Sequence, residues 1–198
     1  MPSTRDIRRR IKSVKNTAQI TKAMQLVAAA KMKKAQDQAT NGRPFADALN
    51  QVLVSLRDNV GEAIHPYLFP GKGSKTLVVV IATDKGLCGS LNTNLLKKAL
   101  SGITDPDLEY VTIGRKAAQT IARLRRHLVA EFSLKDPALF AELRQVGKLI
   151  QERFLSGEYA KVLVVFNNFV NTVTVIPTVE QLLPVHAVTL GGKRSLGY

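Results

Sequence analysis

The sequence predicts an α/β protein in which a long N-terminal coiled-coil-type helix precedes a Rossmann-like, mostly parallel α/β domain. Three observations carry this. A 4-3 spacing of small and apolar residues runs from Ile7 to Ala39. Residues 76–82 (TLVVVIA) form an unbroken, largely β-branched run, and strand-type and helix-type segments alternate after it.

The first segment starts with Ser3 or Thr4 as N-cap and Asp6 in the first turn, where a carboxylate complements the helix dipole. Ile7, Ile11, Val14, Ala18, Thr21, Gln25, Ala28, Met32, Ala35 and Ala39 then define a heptad seam. Its middle (Ala18, Thr21, Gln25, Ala28) is small or polar. Such residues let a partner backbone approach closely but bury little apolar area, so the helix is a weak self-zipper and needs a particular partner. Asn41-Gly42-Arg43-Pro44 reads as a break, with a second helix from Pro44 to about residue 59. The alternative is one helix kinked at Pro44, about 85 Å long at 1.5 Å per residue.

The expected organisation is a shaft helix over residues 1–60, a linker over 61–75, an α/β domain over 76–185 and a tail over 186–198. Pro66, Pro70, Gly71 and Gly73 mark the linker. Residues 76–82 suit a strand buried on both faces. Helix-type segments follow at 91–100, 115–126 and 137–155, with strand-type segments at 109–113, 128–132 and 162–166. This alternation implies βαβ units. Asn167 and Asn168 are expected to turn the chain into an antiparallel edge strand at 172–178, a place that suits Pro177.

Charge is the strongest compositional signal. The 198 residues carry +14, and the first 34 hold ten basic residues against Asp6 alone. That arm calls for a polyanionic partner: nucleic acid, anionic lipid or an acidic protein surface. The first 44 residues contain no aromatic side chain for stacking on bases, which weighs against nucleic acid. No run approaches the roughly 18 apolar residues of a membrane span, and no secretory signal opens the chain. A bacterial protein, cytoplasmic or peripheral to the inner membrane, fits best. The single Cys88 excludes an intrachain disulfide, and His65, His127 and His186 share no ligand spacing, so neither a metal centre nor a cofactor is expected.

The loop Thr83-Asp84-Lys85-Gly86-Leu87-Cys88-Gly89-Ser90 follows a buried strand and opens a helix, where α/β folds bind phosphates. Its glycines match neither dinucleotide nor phosphate-loop spacing. A tight turn with Ser90 capping the next helix is the preferred reading, and Cys88 reads as a structural thiol without a base beside it. No catalytic constellation emerges. A nucleotide-dependent α/β enzyme and a basic nucleic-acid-binding protein are the alternatives.

Residues 6–17 (DIRRRIKSVKNT), 20–24 (ITKAM) and 27–32 (VAAAKM) resemble the N-terminal helix of F-type ATP synthase gamma subunits. Asp84-Lys85-Gly86-Leu87-Cys88-Gly89-Ser90-Leu91-Asn92 is similar to that family's glycine-containing loop, and residues 169–184 to a third family segment. The resemblance implies a central-stalk rotor subunit without a catalytic site of its own. Its first helix would enter the catalytic head of alpha and beta subunits and pair with a C-terminal helix. Its α/β domain would bind the epsilon subunit and the proton-driven membrane ring of c subunits. Met24, Lys31, Lys33 and Lys34 would then face acidic loops of the head, and Arg8, Arg9 and Lys12 would lie nearer the sleeve around the shaft tip. The family pattern continues past Tyr198 into a long helix, towards which residues 186–198 would lead.

Overall fold

The computed structural model describes residues 3–59, 65–135 and 138–185. It divides into two compact units, Met1–Asp58 and Asn59–Tyr198. The first is a single helix, α1 (Thr4–Asn59), of 56 residues. Ser3 and Asp6 close its start reciprocally: the Asp6 amide donates to Ser3 Oγ, while the Ser3 amide and hydroxyl donate to Asp6 Oδ2. That exchange satisfies donors which the first turn leaves without helical partners.

Of the two readings at 41–44, the break is not formed and the single helix is: α1 runs through Gly42 and Pro44. Proline costs the helix one hydrogen bond, that to the Thr40 carbonyl four residues back, but it leaves the bonds of the flanking turns intact.

The second unit opens with a 3₁₀ turn, Pro66–Leu68, where His65 Nδ1 accepts from the Tyr67 amide. Then follow β1 (Lys75–Ile81), α2 (Leu91–Ser101), β2 (Leu108–Ile113), α3 (Arg115–Arg123), β3 (His127–Phe132), α4 (Phe140–Leu155), β4 (Tyr159–Phe169) and β5 (Val175–Leu183). The sheet order is β3-β2-β1-β4-β5. The first four strands are parallel and β5 is antiparallel to β4. This is the expected Rossmann-like arrangement, with the order reversing between β1 and β4.

Alternation along β1 explains the layers, since successive side chains point to opposite faces. Leu77 and Val79 pack with Val146, Ile150 and Phe154 of α4. Val78 and Val80 pack on the other face with Leu95 and Ala99 of α2 and Ala117 and Ile121 of α3. The strand is therefore apolar at every central position.

Several boundaries move. Asn167 and Asn168 do not turn the chain; they lie within β4, opposite Pro177 and Ile176. The turn forms at Asn171, whose Oδ1 accepts from the amides of Val173 and Thr174 at 2.9 and 2.7 Å. An Asx turn is set by where such bonds close, not by the first asparagine met. The edge strand thus starts at Val175 rather than residue 172. Residues 138 and 139 are not helical, and Pro137, the expected start of α4, lies outside the described residues, as does the tail 186–198 with His186.

The stretch read as linker includes close packing. A Cβ on Gly71 would stand 1.8 Å from the Tyr159 carbonyl oxygen, and one on Gly73 would stand 1.8 Å from that of Glu158. Both positions need glycine because the backbone passes against the start of β4.

Candidate helix-pairing interface and the loop after β1

Every seam residue from Ile7 to Met32 lies on α1 and is exposed. Ile7, Arg10, Ile11, Val14, Lys15 and Ala18 line a shallow apolar groove at its beginning. The Thr21 hydroxyl donates to the Thr17 carbonyl at 2.8 Å, so it can be covered without leaving an orphaned donor. A strict heptad drifts about 20° per repeat on a straight helix, so a partner following the whole seam must wind left-handedly around α1.

A second apolar row was not evident from the heptad reading. Ile20, Met24 and Val27, at i, i+4 and i+7, are 61%, 67% and 57% exposed. At 3.6 residues per turn this row lies roughly 100° around the helix from the seam. The signal was present in the spacing, but it was hidden by the stronger seam. The helix thus presents apolar side chains on two faces. Arg8, Arg9, Lys12, Lys31, Lys33 and Lys34 are also exposed on α1, with Lys31 and Lys33 flanking Met32. Cationic and apolar surfaces are thus presented side by side.

The loop after β1 sits at the carboxyl end of the parallel strands, where open α/β sheets bind ligands. Its own side chains occupy that corner. Thr83 donates its amide to Asn92 Oδ1 at 3.3 Å and its hydroxyl to the Lys85 carbonyl at 2.6 Å, and Asn92 Nδ2 donates to Thr83 Oγ1 at 2.7 Å. Asn92 Nδ2 also lies 3.2 Å from Cys88 Sγ, which gives the half-buried thiol a structural contact. Asp84 Oδ1 accepts from the Arg115 amide at 2.9 Å and the Ser133 hydroxyl at 3.1 Å. A carboxylate therefore occupies the start of α3, where its negative charge meets the helix's free amides. Lys85 and Gly86 are exposed, and Gly89 adopts φ 59°. The expected cap by Ser90 is not made: it stands at the N-cap position, but its hydroxyl accepts from Asn94 Nδ2 instead of a backbone amide.

A polar cluster absent from the sequence reading joins the opposite ends of the strands. Glu109 is 7% exposed; its Oε1 lies 2.8 Å from Lys75 Nζ and its Oε2 accepts from Tyr159 Oη. His127 Nδ1 is 3.4 Å from Oε2. Burial pushes the Glu109 carboxyl up, but the hydrogen bonds from Lys75 and Tyr159, with His127 nearby, outweigh it and hold the group below its ordinary value. Burial and the carboxylate together push the Tyr159 hydroxyl up. Its site at the amino ends of β1, β2, β3 and β4 makes this cluster a staple of the sheet. Among the described residues no group of His, Cys, Asp and Glu could hold a metal ion, and no helix is long and apolar enough to cross a membrane.

One unit is a long helix with an exposed seam, and the other is a Rossmann-like domain with a hydrogen-bonded loop after β1. The family model described as ATP synthase matches residues 3–195. The ATP synthase gamma chain of Opitutus terrae is 52% identical over 188 residues, covering 95% of this chain and 63% of the relative. That of Dehalococcoides mccartyi is 36% identical over 203 residues, covering 100% of this chain and 71% of the relative. A chain in the central stalk/c-ring structure of Tetrahymena thermophila mitochondrial ATP synthase aligns with a TM-score of 0.66 and 26% identity, over 83% of this chain and 72% of that one. The chain belongs to the ATP synthase gamma-chain family. It spans 63% of the length of the gamma chains of Opitutus terrae and Akkermansia muciniphila.

Proposed function

We propose that the chain is a central-stalk rotor element of a proton-translocating F-type ATP synthase. It couples rotation of a membrane ring of c subunits to ATP synthesis or hydrolysis in a head of alpha and beta subunits. The observation that carries this reading is α1 itself: 56 residues of continuous helix with apolar rows on two faces, both exposed. One row suits an antiparallel helix and the other suits a surrounding sleeve. The cationic residues Arg8, Arg9, Lys12, Lys31, Lys33 and Lys34, with Met24, are the side chains assigned to the head. Exposed ion pairs of about 0–1 kcal/mol each suit contacts that are remade at every step.

In this reading the chain holds no catalytic site, and the α/β unit meets the epsilon subunit and the ring. Its place is peripheral, on the cytoplasmic face of a bacterial inner membrane. The test is co-expression with alpha, beta and epsilon subunits, with a gamma C-terminal helix supplied as a separate segment. Copurification in fixed stoichiometry is expected. Recovery of the alpha and beta subunits without the chain would reject the reading.

A further inference from the structure

Charge is divided unevenly between the two faces of the sheet. Residues 85–104 and 110–130, which include α2 and α3, hold eight Lys and Arg and no Asp or Glu. On the opposite face α4 carries Glu142 and Glu152, which pair with Lys135 and Lys148. Between α2 and α3 runs a groove of about 360 Å³, lined by Asn92 and Thr93 of α2 and by Lys116, Gln119 and Arg123 of α3. The three α3 residues stand at i, i+3 and i+7 and so form one stripe, with the two cations about 10.5 Å apart along the axis. Lys116 is half-buried, and its Cε lies 3.8 Å from where a Cβ on Gly86 would stand, so its side chain runs beside the loop after β1. Among the described residues neither Lys116 nor Arg123 has an ionic partner. Asp84, the carboxylate at the start of α3, is turned to Arg115 and Ser133. A concave wall of one charge concentrates counter-anions, and a cation partly withdrawn from water gains most from an anion that reaches it.

We propose that the α2–α3 groove is a binding site for a free oligophosphate, an anion with two or three phosphates in a chain. The site lies wholly within the α/β unit and does not rest on the rotor reading. Lysine and arginine are both phosphate ligands, arginine through its paired donors. Two such groups two helical turns apart can be met together by a chain of phosphates, whereas a single phosphate meets one of them. Gln119 stands between them, and its amide makes no hydrogen bond among the described residues, so it supplies a further donor. The volume is that of a small-molecule site. An anionic bilayer is the competing polyanion, but its flat surface does not fit a groove with a half-buried cation in its wall. A nucleoside triphosphate and an inorganic oligophosphate share the phosphate chain that the groove reads.

The test titrates the 198-residue chain with sodium tripolyphosphate, ATP or orthophosphate at physiological salt and follows backbone amide shifts. The basic arm on α1 also attracts anions, so the readout is local. Saturable shifts at residues 91–96 and 115–123 are expected with tripolyphosphate, and orthophosphate should bind about tenfold more weakly. Lys116→Gln with Arg123→Gln should weaken tripolyphosphate there about tenfold, while Arg9→Gln with Lys12→Gln on α1 should leave it within about twofold. Thr93→Asp places a carboxylate on the opposite wall and should cause the same loss by a separate route. ATP bound as tightly as tripolyphosphate supports a site that reads the phosphate chain alone, and tighter ATP supports a nucleotide as its source. Shifts confined to α1, or undiminished affinity in the groove variants, would overturn the proposal. So would flotation with phosphatidylglycerol vesicles that depends on Lys116 and Arg123 while tripolyphosphate leaves 91–96 and 115–123 unmoved.

Discussion

The Tyr159 hydroxyl donates to Glu109 Oε2 at 2.5 Å, joining residues 50 apart in the chain where β4 and β2 begin. Tyr159 is fully buried, and its bond occupies a carboxylate oxygen that has little access to water. Tyr159→Phe removes the donor and leaves that oxygen with His127 at 3.4 Å. A hydrogen bond to a charged group contributes about 1.5–3 kcal/mol, so denaturant unfolding of the variant should show a loss of that order.

The same cluster sets a pH dependence. The Glu109 carboxyl is lowered on folding, so its contribution is fully present above the unfolded carboxyl's ordinary value and is lost as pH falls through the folded value. Unfolding free energy measured from neutral pH downward should decline more steeply for the native sequence than for Glu109→Gln. Parallel curves would assign the acid sensitivity elsewhere.

Gly71 and Gly73 cannot accept a methyl group without moving β4, since each Cβ would stand 1.8 Å from a backbone oxygen. Gly71→Ala and Gly73→Ala should each lose about 1–3 kcal/mol, the usual scale of forced overpacking, in thermal or denaturant unfolding.

Gly42 is the contrasting case. Nothing lies within 4 Å of its Cβ position, and it sits inside α1. Gly42→Ala should stabilise the helix by about 1 kcal/mol, and Pro44→Ala by up to about 3 kcal/mol. Circular dichroism of thermal unfolding reads both, and a loss of helicity in either would contradict the continuous helix.

The strands were legible because burial wrote itself into local sequence: TLVVVIA is apolar at consecutive positions since both faces of β1 are covered. The helix that carries the 4-3 spacing was legible from that spacing. The path through Pro44 was legible only as one of two alternatives, because a proline penalty is a local signal and the continuity of α1 is a property of the whole helix. Asn167 and Asn171 look alike in sequence; only strand register decides which one turns the chain. Lys75, Glu109, His127 and Tyr159 come from four strand starts, and a cluster assembled at such separations leaves no spacing to read. Asp84 was singled out, but its capping of α3 across 31 residues was likewise invisible.

In the proposed function this chain turns inside a catalytic head. The direct measurement fixes an assembled alpha–beta head to a surface, attaches a bead to the α/β unit and supplies ATP. Stepwise rotation in one direction is expected, abolished when Ile11 and Val14 of the seam are replaced by lysine. A bead that stays still, or that fluctuates without direction in a complex that hydrolyses ATP, would contradict it.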